Sequence, residues 1–80
     1  LGNYDKALRF CKLFIDKDPY YEEAHCVAMR CYGALNDLGG LQSCFSRLKE
    51  ILAHDLKTTP RAETVTLFET LIKQRKSVVR

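Results

Sequence analysis

The chain has 80 residues, 46% hydrophobic and 29% charged, with a formal net charge of +3. A chain of that length holds one domain and buries only about 60% of its unfolded surface, while its composition excludes a disordered polypeptide. The charge is too small to imply nucleic-acid binding without a basic patch, and no apolar run is long enough to span a membrane.

The first helix is predicted over residues 4–17. Asn3 suits its N-cap, because its side chain accepts from an orphan first-turn N–H. Tyr4, Ala7, Leu8, Cys11, Phe14 and Ile15 recur at helical spacing. Phe10 and Leu13 widen that stripe, so this helix should have neighbours on two sides. Asp18-Pro19 ends it, since a proline disfavours helical geometry in the residue before it.

The second helix is predicted over 20–35, with Pro19 at its start and Glu22 and Glu23 near its positive dipole end. Its stripe is Ala24, Val27, Ala28, Cys31, Tyr32 and Leu35, in which the small residues admit a close partner helix. Asn36 is the left-handed residue closing it, and Asp37 caps the next helix.

The third helix is predicted over 38–55. Its apolar face comprises Leu41, Cys44, Phe45, Leu48, Ile51, Leu52 and Leu56. Gly39 and Gly40 fall in its first turn, each costing about 1 kcal/mol relative to alanine, so a loose start is expected. The fourth helix is predicted over 61–75, opened by Pro60, with Val65, Leu67, Phe68, Leu71 and Ile72 as its stripe. No strand alternation persists, so the fold class is all-α: about four helices in one domain, arranged as antiparallel hairpins.

The chain also repeats itself. Gly2 aligns with Asn36, Tyr4 with Leu38, Ala7 with Leu41, Cys11 with Phe45 and Phe14 with Leu48, a period of 34 residues. A small or turn-forming residue followed by apolar positions at that period points to stacked helix-turn-helix units.

Chemistry is sparsely signalled. Cys11, Cys26, Cys31 and Cys44 match no zinc or redox spacing. Cys26 and Cys31 lie about 140° apart round one helix, too far to clamp one metal. Cys11, Cys31 and Cys44 fall on apolar stripes, and the four cysteines read as reduced thiols, which suggests the cytoplasm; no signal peptide is visible. Ser43, Cys44, Ser46 and His54 lack a converging base and oxyanion loop. His25 and His54 read as surface or interfacial histidines. No catalytic residue, cofactor or metal ligand is expected. The last eight residues carry Lys73, Arg75, Lys76 and Arg80, which suit a solvated helix C-terminus; phosphate contact is the alternative. No aromatic residue lies among them to stack a base.

Two resemblances follow from these residues. Gly2, Tyr4, Ala7, Cys11, Phe14 and Pro19 resemble the second-helix half of a tetratricopeptide repeat, and Ala28, Met29 and Tyr32 the first-helix half of the next. Cys11 replaces a usual aromatic, Phe14 and Leu41 replace usual alanines, and Ala53 stands where the second unit would have proline. The longer run is sharper. Asp18-Pro19-Tyr20-Tyr21-Glu22-Glu23-Ala24-His25, Met29-Arg30, Tyr32, Leu35 and Asn36 resemble the bacterial transcriptional activator domain of streptomycete antibiotic regulators. So do Phe45, Leu48, Leu52, Asp55-Leu56, Pro60, Glu63, Leu67, Phe68 and Leu71. The likeness covers the C-terminal half or so of that domain. Asn36 and Lys57 replace usual glycines, and Gly39 and Gly40 replace usual helix formers.

That resemblance implies a helical protein-interaction module of a transcriptional regulator, with DNA bound by a separate winged-helix domain. The first helix resembles the second member of a pair whose other member would precede Leu1. Phe10, Leu13 and Phe14 are then the candidate contacts for upstream helices of the parent chain, a second copy in a homodimer or the transcription machinery. The alternatives are a generic tetratricopeptide scaffold, as in a chaperone or assembly adaptor, and direct nucleic-acid binding through the basic tail.

Overall fold

The computed structural model describes residues 3–78, with side chains for residues 3–74. Four α-helices follow in order: α1 (Tyr4–Lys17), α2 (Glu22–Ala34), α3 (Leu38–Ile51) and α4 (Ala62–Val78). Among the described residues there is no strand. A π-helical turn, Leu52–Leu56, extends α3.

The helix ends have local causes. The Asn3 side chain accepts the Lys6 N–H at the start of α1, and the Asp37 side chain accepts the Gly40 N–H at 2.9 Å at the start of α3. α2 begins at Glu22, two residues later than the sequence pattern predicts. Pro19 and Tyr20 instead form a turn closed by the Tyr21 N–H on the Asp18 carbonyl. Its other end is a Schellman motif. Asn36 is left-handed at φ 59; its N–H bonds to the Gly33 carbonyl and that of Asp37 to the Tyr32 carbonyl.

The first turn of α3 is firmer than expected. A Cβ built on Gly40 would lie 2.4 Å from the Tyr32 ring and 2.7 Å from the Asp37 carboxylate. Glycine at 40 is therefore a packing requirement set by α2. Gly39 carries no such constraint, since its Cβ would meet only the Asp37 carboxylate at 3.8 Å.

α3 does not run regularly to residue 55. After Ile51 the chain widens into i→i+5 bonding, and the Lys57 N–H reaches the Leu52 carbonyl. Lys57 closes the turn in the left-handed region at φ 55. The wider turn takes Leu56 off the α3 stripe: Leu52 is buried, whereas Leu56 is half exposed.

α2 is the central element, packing against α1, α3 and α4. Its α1 side contributes Ala28 and Cys31 to a cluster with Leu8 and Cys11. Its other side contributes Cys26 and Met29 to a larger cluster with Leu41 and Phe45. Leu67, Phe68, Leu71 and Ile72 of α4 close over that cluster, and the Phe45 and Phe68 rings stack with centroids 4.2 Å apart. Met29, Leu41, Leu48 and Thr64 are 0% exposed. α2 thus has neighbours on two sides, and among the described residues the helix that α1 packs on is α2. Val27 and Leu35, expected in the α2 stripe, are exposed, because the stripe splits between two partners and leaves a third face open.

A polar tie joins α2 to α4. The Glu22 carboxylate accepts the Arg61 N–H at 2.9 Å and the Thr64 hydroxyl at 2.7 Å. The Thr64 proton is then committed, so the Cys26 thiol donates to the Thr64 oxygen at 3.5 Å. Glu22 therefore serves the positive ends of two helices, its own and α4.

Candidate interaction surface

The outer face of α1 follows from its spacing. Leu8, Cys11 and Ala7 turn toward α2, and this turns Phe10, Leu13 and Phe14, at i, i+3 and i+4, to the opposite side. Phe10 is 64% exposed, Leu13 62% and Phe14 49%. Tyr21 joins them from the α1–α2 turn, its ring centroid 5.3 Å from that of Phe14. Phe10, Phe14, Tyr21 and Val27 line a shallow depression of about 430 Å³, floored by Cys11 and Ala24 and edged by Glu23. Leu13 is exposed beside it without lining it. Contiguous exposed aromatic surface of this kind marks interaction sites.

Tyr21 and Val27 were not among the candidates that sequence reasoning gave for this face. Val27 sits at helical spacing in α2 and reads as core; only the splitting of the α2 stripe exposes it. Tyr21 precedes the first turn of α2, where periodicity carries no signal.

Of the basic residues, Lys73 is exposed on α4. The side chains of Arg75 and Lys76, and Arg80 altogether, lie outside the described residues. Nothing described brings the four together as a patch.

His25 differs from its sequence reading. It is buried at 2% exposure, and its Nε2 donates to the Pro19 carbonyl at 2.8 Å. His54 is exposed, and its Nδ1 lies 2.8 Å from the Asp55 carboxylate. Asp55 also accepts the Tyr20 hydroxyl at 2.8 Å, which ties the α1–α2 turn to the π-helical turn. The bonds from His54 and Tyr20 hold the Asp55 carboxyl below its ordinary range, and the bond to Asp55 raises the Tyr20 phenol.

All four cysteines are free thiols, Cys11, Cys26 and Cys31 buried and Cys44 partly so. Burial raises Cys11, with Cys31 adding to it, and raises Cys31 as well. Cys44 rises from an ordinary thiol value of 9.0 to about 11, chiefly through burial and then through Cys11 and Cys26. Thiols held protonated in this way are poor nucleophiles and poor metal ligands. No described group of three or more His, Cys, Asp or Glu residues could hold a metal ion.

Against known families, the model of the bacterial transcriptional activator domain matches residues 1–72. The chain belongs to this family. The bacterial transcriptional activator domain is a domain of transcriptional regulators and not an enzyme family, and its all-α hairpins suit a tetratricopeptide-like arrangement. Lys73, Arg75, Lys76 and Arg80 lie beyond the matched span. Comparison with curated proteins and with solved structures gave no match. No described helix is long and apolar enough to cross a membrane.

Proposed function

We propose that this chain is a single helical domain serving as the protein-interaction and regulatory part of a cytoplasmic bacterial transcriptional regulator whose DNA contacts are made by a separate domain. The observation that carries this reading is the bare aromatic face of α1, with Phe10, Leu13 and Phe14 exposed on a helix whose other side is packed. Family membership gives the transcriptional reading its weight over a generic scaffold.

The mechanism is helix packing. An apolar helix stripe laid across Phe10 and Phe14, with Tyr21 and Val27 at the edge of the depression, would remove that surface from water. Burial is worth roughly 25 cal/mol per Å² of apolar area. The partner is an amphipathic helix of the parent regulator, of a second copy or of the transcription machinery. The basic tail is a solvated helix end in this reading, so duplex DNA should show no salt-sensitive binding to the isolated chain.

The test is sedimentation velocity of the chain over a wide concentration range, with the Phe10→Ser, Phe14→Ser double variant beside it. Self-association that the double variant abolishes supports an adhesive α1 face. A compact monomer at every concentration removes the second-copy partner. Unchanged transcriptional output from the parent regulator carrying both serines would remove the interaction reading as a whole.

A further inference from the structure

A second concave site opens on the other side of α1. Because α1 and α3 each pack on α2 and share no close backbone approach, a groove of about 370 Å³ lies between them, with α2 as its floor. That volume falls at the small end of ligand sites. Lys12 and Asp16 stand on the α1 wall, one helical turn apart, and Arg47 stands on the α3 wall. None of these three exposed charged groups is held in an ion pair among the described residues.

The floor adds an unmet hydrogen-bonding demand. His25 lines the groove at 2% exposure. Its Nε2 is committed to the Pro19 carbonyl, which can only accept. In the neutral ring Nδ1 is therefore an acceptor, and no donor among the described residues reaches it. A buried acceptor without a partner is costly, so such groups are normally satisfied by a ligand or a water. Cys44 brings no negative charge, since burial holds it protonated to about pH 11 and its thiol donates to the His25 carbonyl. Ile15, Ala28 and Tyr32 supply apolar lining beside these polar groups.

Two cations, one carboxylate and one buried acceptor beside an apolar wall form a pattern with a chemical complement. We propose that the groove between α1 and α3 binds a free α-amino acid, or a zwitterion of that size. Its carboxylate lies between Lys12 and Arg47, its ammonium group donates to Asp16 and to His25 Nδ1, and its side chain rests on Ile15, Ala28 and Tyr32. A plain anion would leave Asp16 and the His25 acceptor unanswered, and a plain amine would leave both cations so. Binding here would add a second link between α1 and α3, beside the packing of Cys44 against the Leu8 and Cys11 cluster.

The experiment is an amide NMR titration of the chain with a panel of free amino acids: glycine, leucine, phenylalanine and glutamate. The N-acetyl and carboxamide derivatives of whichever binds best are titrated alongside. The expected result is a saturable shift confined to residues around Lys12, His25, Ala28 and Arg47. Each blocked derivative should bind roughly tenfold more weakly or worse, the scale of losing a charge-assisted hydrogen bond. Lys12→Ala and Arg47→Ala, both at exposed positions and so compatible with the fold, should each weaken binding to a similar degree. A panel without any saturable response overturns the proposal. So do shifts scattered over the surface, shifts that survive both substitutions, or blocked derivatives that bind as well as the parent.

Discussion

The two flanks of α2 are built from similar residues and have opposite fates. On the α3–α4 side, Met29, Leu41, Leu48 and Phe45 are closed off by a second layer that brings Phe68 against Phe45. On the α1 side, Leu8 and Cys11 are covered, but Phe10, Leu13 and Phe14, within the same few turns, face outward. Hydrophobic spacing alone assigns both sets to a core. What separates them is the number of neighbouring helices, and that number is a property of the packing. An apolar stripe on two sides of a helix therefore states a demand for two partners, of which α1 has one.

The comparison can be broken most sharply on the closed side. Leu48→Ala removes a side chain that is 0% exposed and should cost about 2–5 kcal/mol, much of the roughly 5–15 kcal/mol typical of a whole domain. Urea unfolding would show it as a lower midpoint with little change in slope; a loss under about 1 kcal/mol would mean the α3 layer can collapse around the gap. The polar tie on the same side comes next. Glu22→Ala strips the partner from the Arg61 N–H and the buried Thr64 hydroxyl and should cost about 1–3 kcal/mol, measured in the same way. A loss confined to hydrogen-exchange protection in α4 would show that the tie holds that helix alone.

The neighbouring glycines sharpen the contrast, because they should respond with opposite signs. Gly40→Ala forces a Cβ into the Tyr32 ring and should destabilise by about 1–3 kcal/mol. Gly39→Ala meets only ordinary contact and should stabilise by up to about 1 kcal/mol. Equal effects in thermal melts would mean that the first turn of α3 is not held against α2.

The thiol cluster offers a pH readout of the α1 side. Cys11, Cys31 and Cys44 are raised in the folded chain, so these thiols contribute stability fully present below pH 9.0 and lost as the pH climbs toward about 11, where Cys44 ionises. Urea midpoints should hold steady below that window and fall within it; Cys44→Ala should flatten the fall. The smallest effect belongs to the open face. Leu13→Ser should change stability by no more than about 0.5 kcal/mol, while weakening any association made through α1. A large loss of stability in the monomer would mean that this face is packed after all.

Much of the helical frame could be read in advance because its signals are local. The Asn3 and Asp37 caps, the left-handed Asn36 and the stripe of α1 each involve residues within a turn or two of one another. The misreadings involve distance. Glu22 reads as a first-turn acid of α2, and nothing near it in sequence reveals that its bonds go to Arg61 and Thr64. Gly40 reads as a weak helix former until the Tyr32 ring is placed against it. His25 reads as a surface or interfacial residue, and its burial is not legible because its partner, the Pro19 carbonyl, is a backbone atom carrying no sequence signature. The π-helical turn likewise replaces the regular continuation predicted to residue 55. On the open face, Phe10, Leu13 and Phe14 were recognisable as surplus apolar residues, whereas Tyr21 and Val27 needed the fold to bring them alongside.

The attachment of α1 to α2 alone has a kinetic side. A helix with one neighbour can detach without disturbing the larger cluster, so opening of α1 is an equilibrium partly separate from global unfolding. Its amides should exchange with solvent through that lesser opening, ahead of those in α3. Any molecule that settles on α1, against the aromatic face or across the groove to α3, then slows that exchange in proportion to its occupancy. The first helix is in that sense a built-in reporter: its exchange rate registers, from within the chain, whether either of its two open sides has been filled.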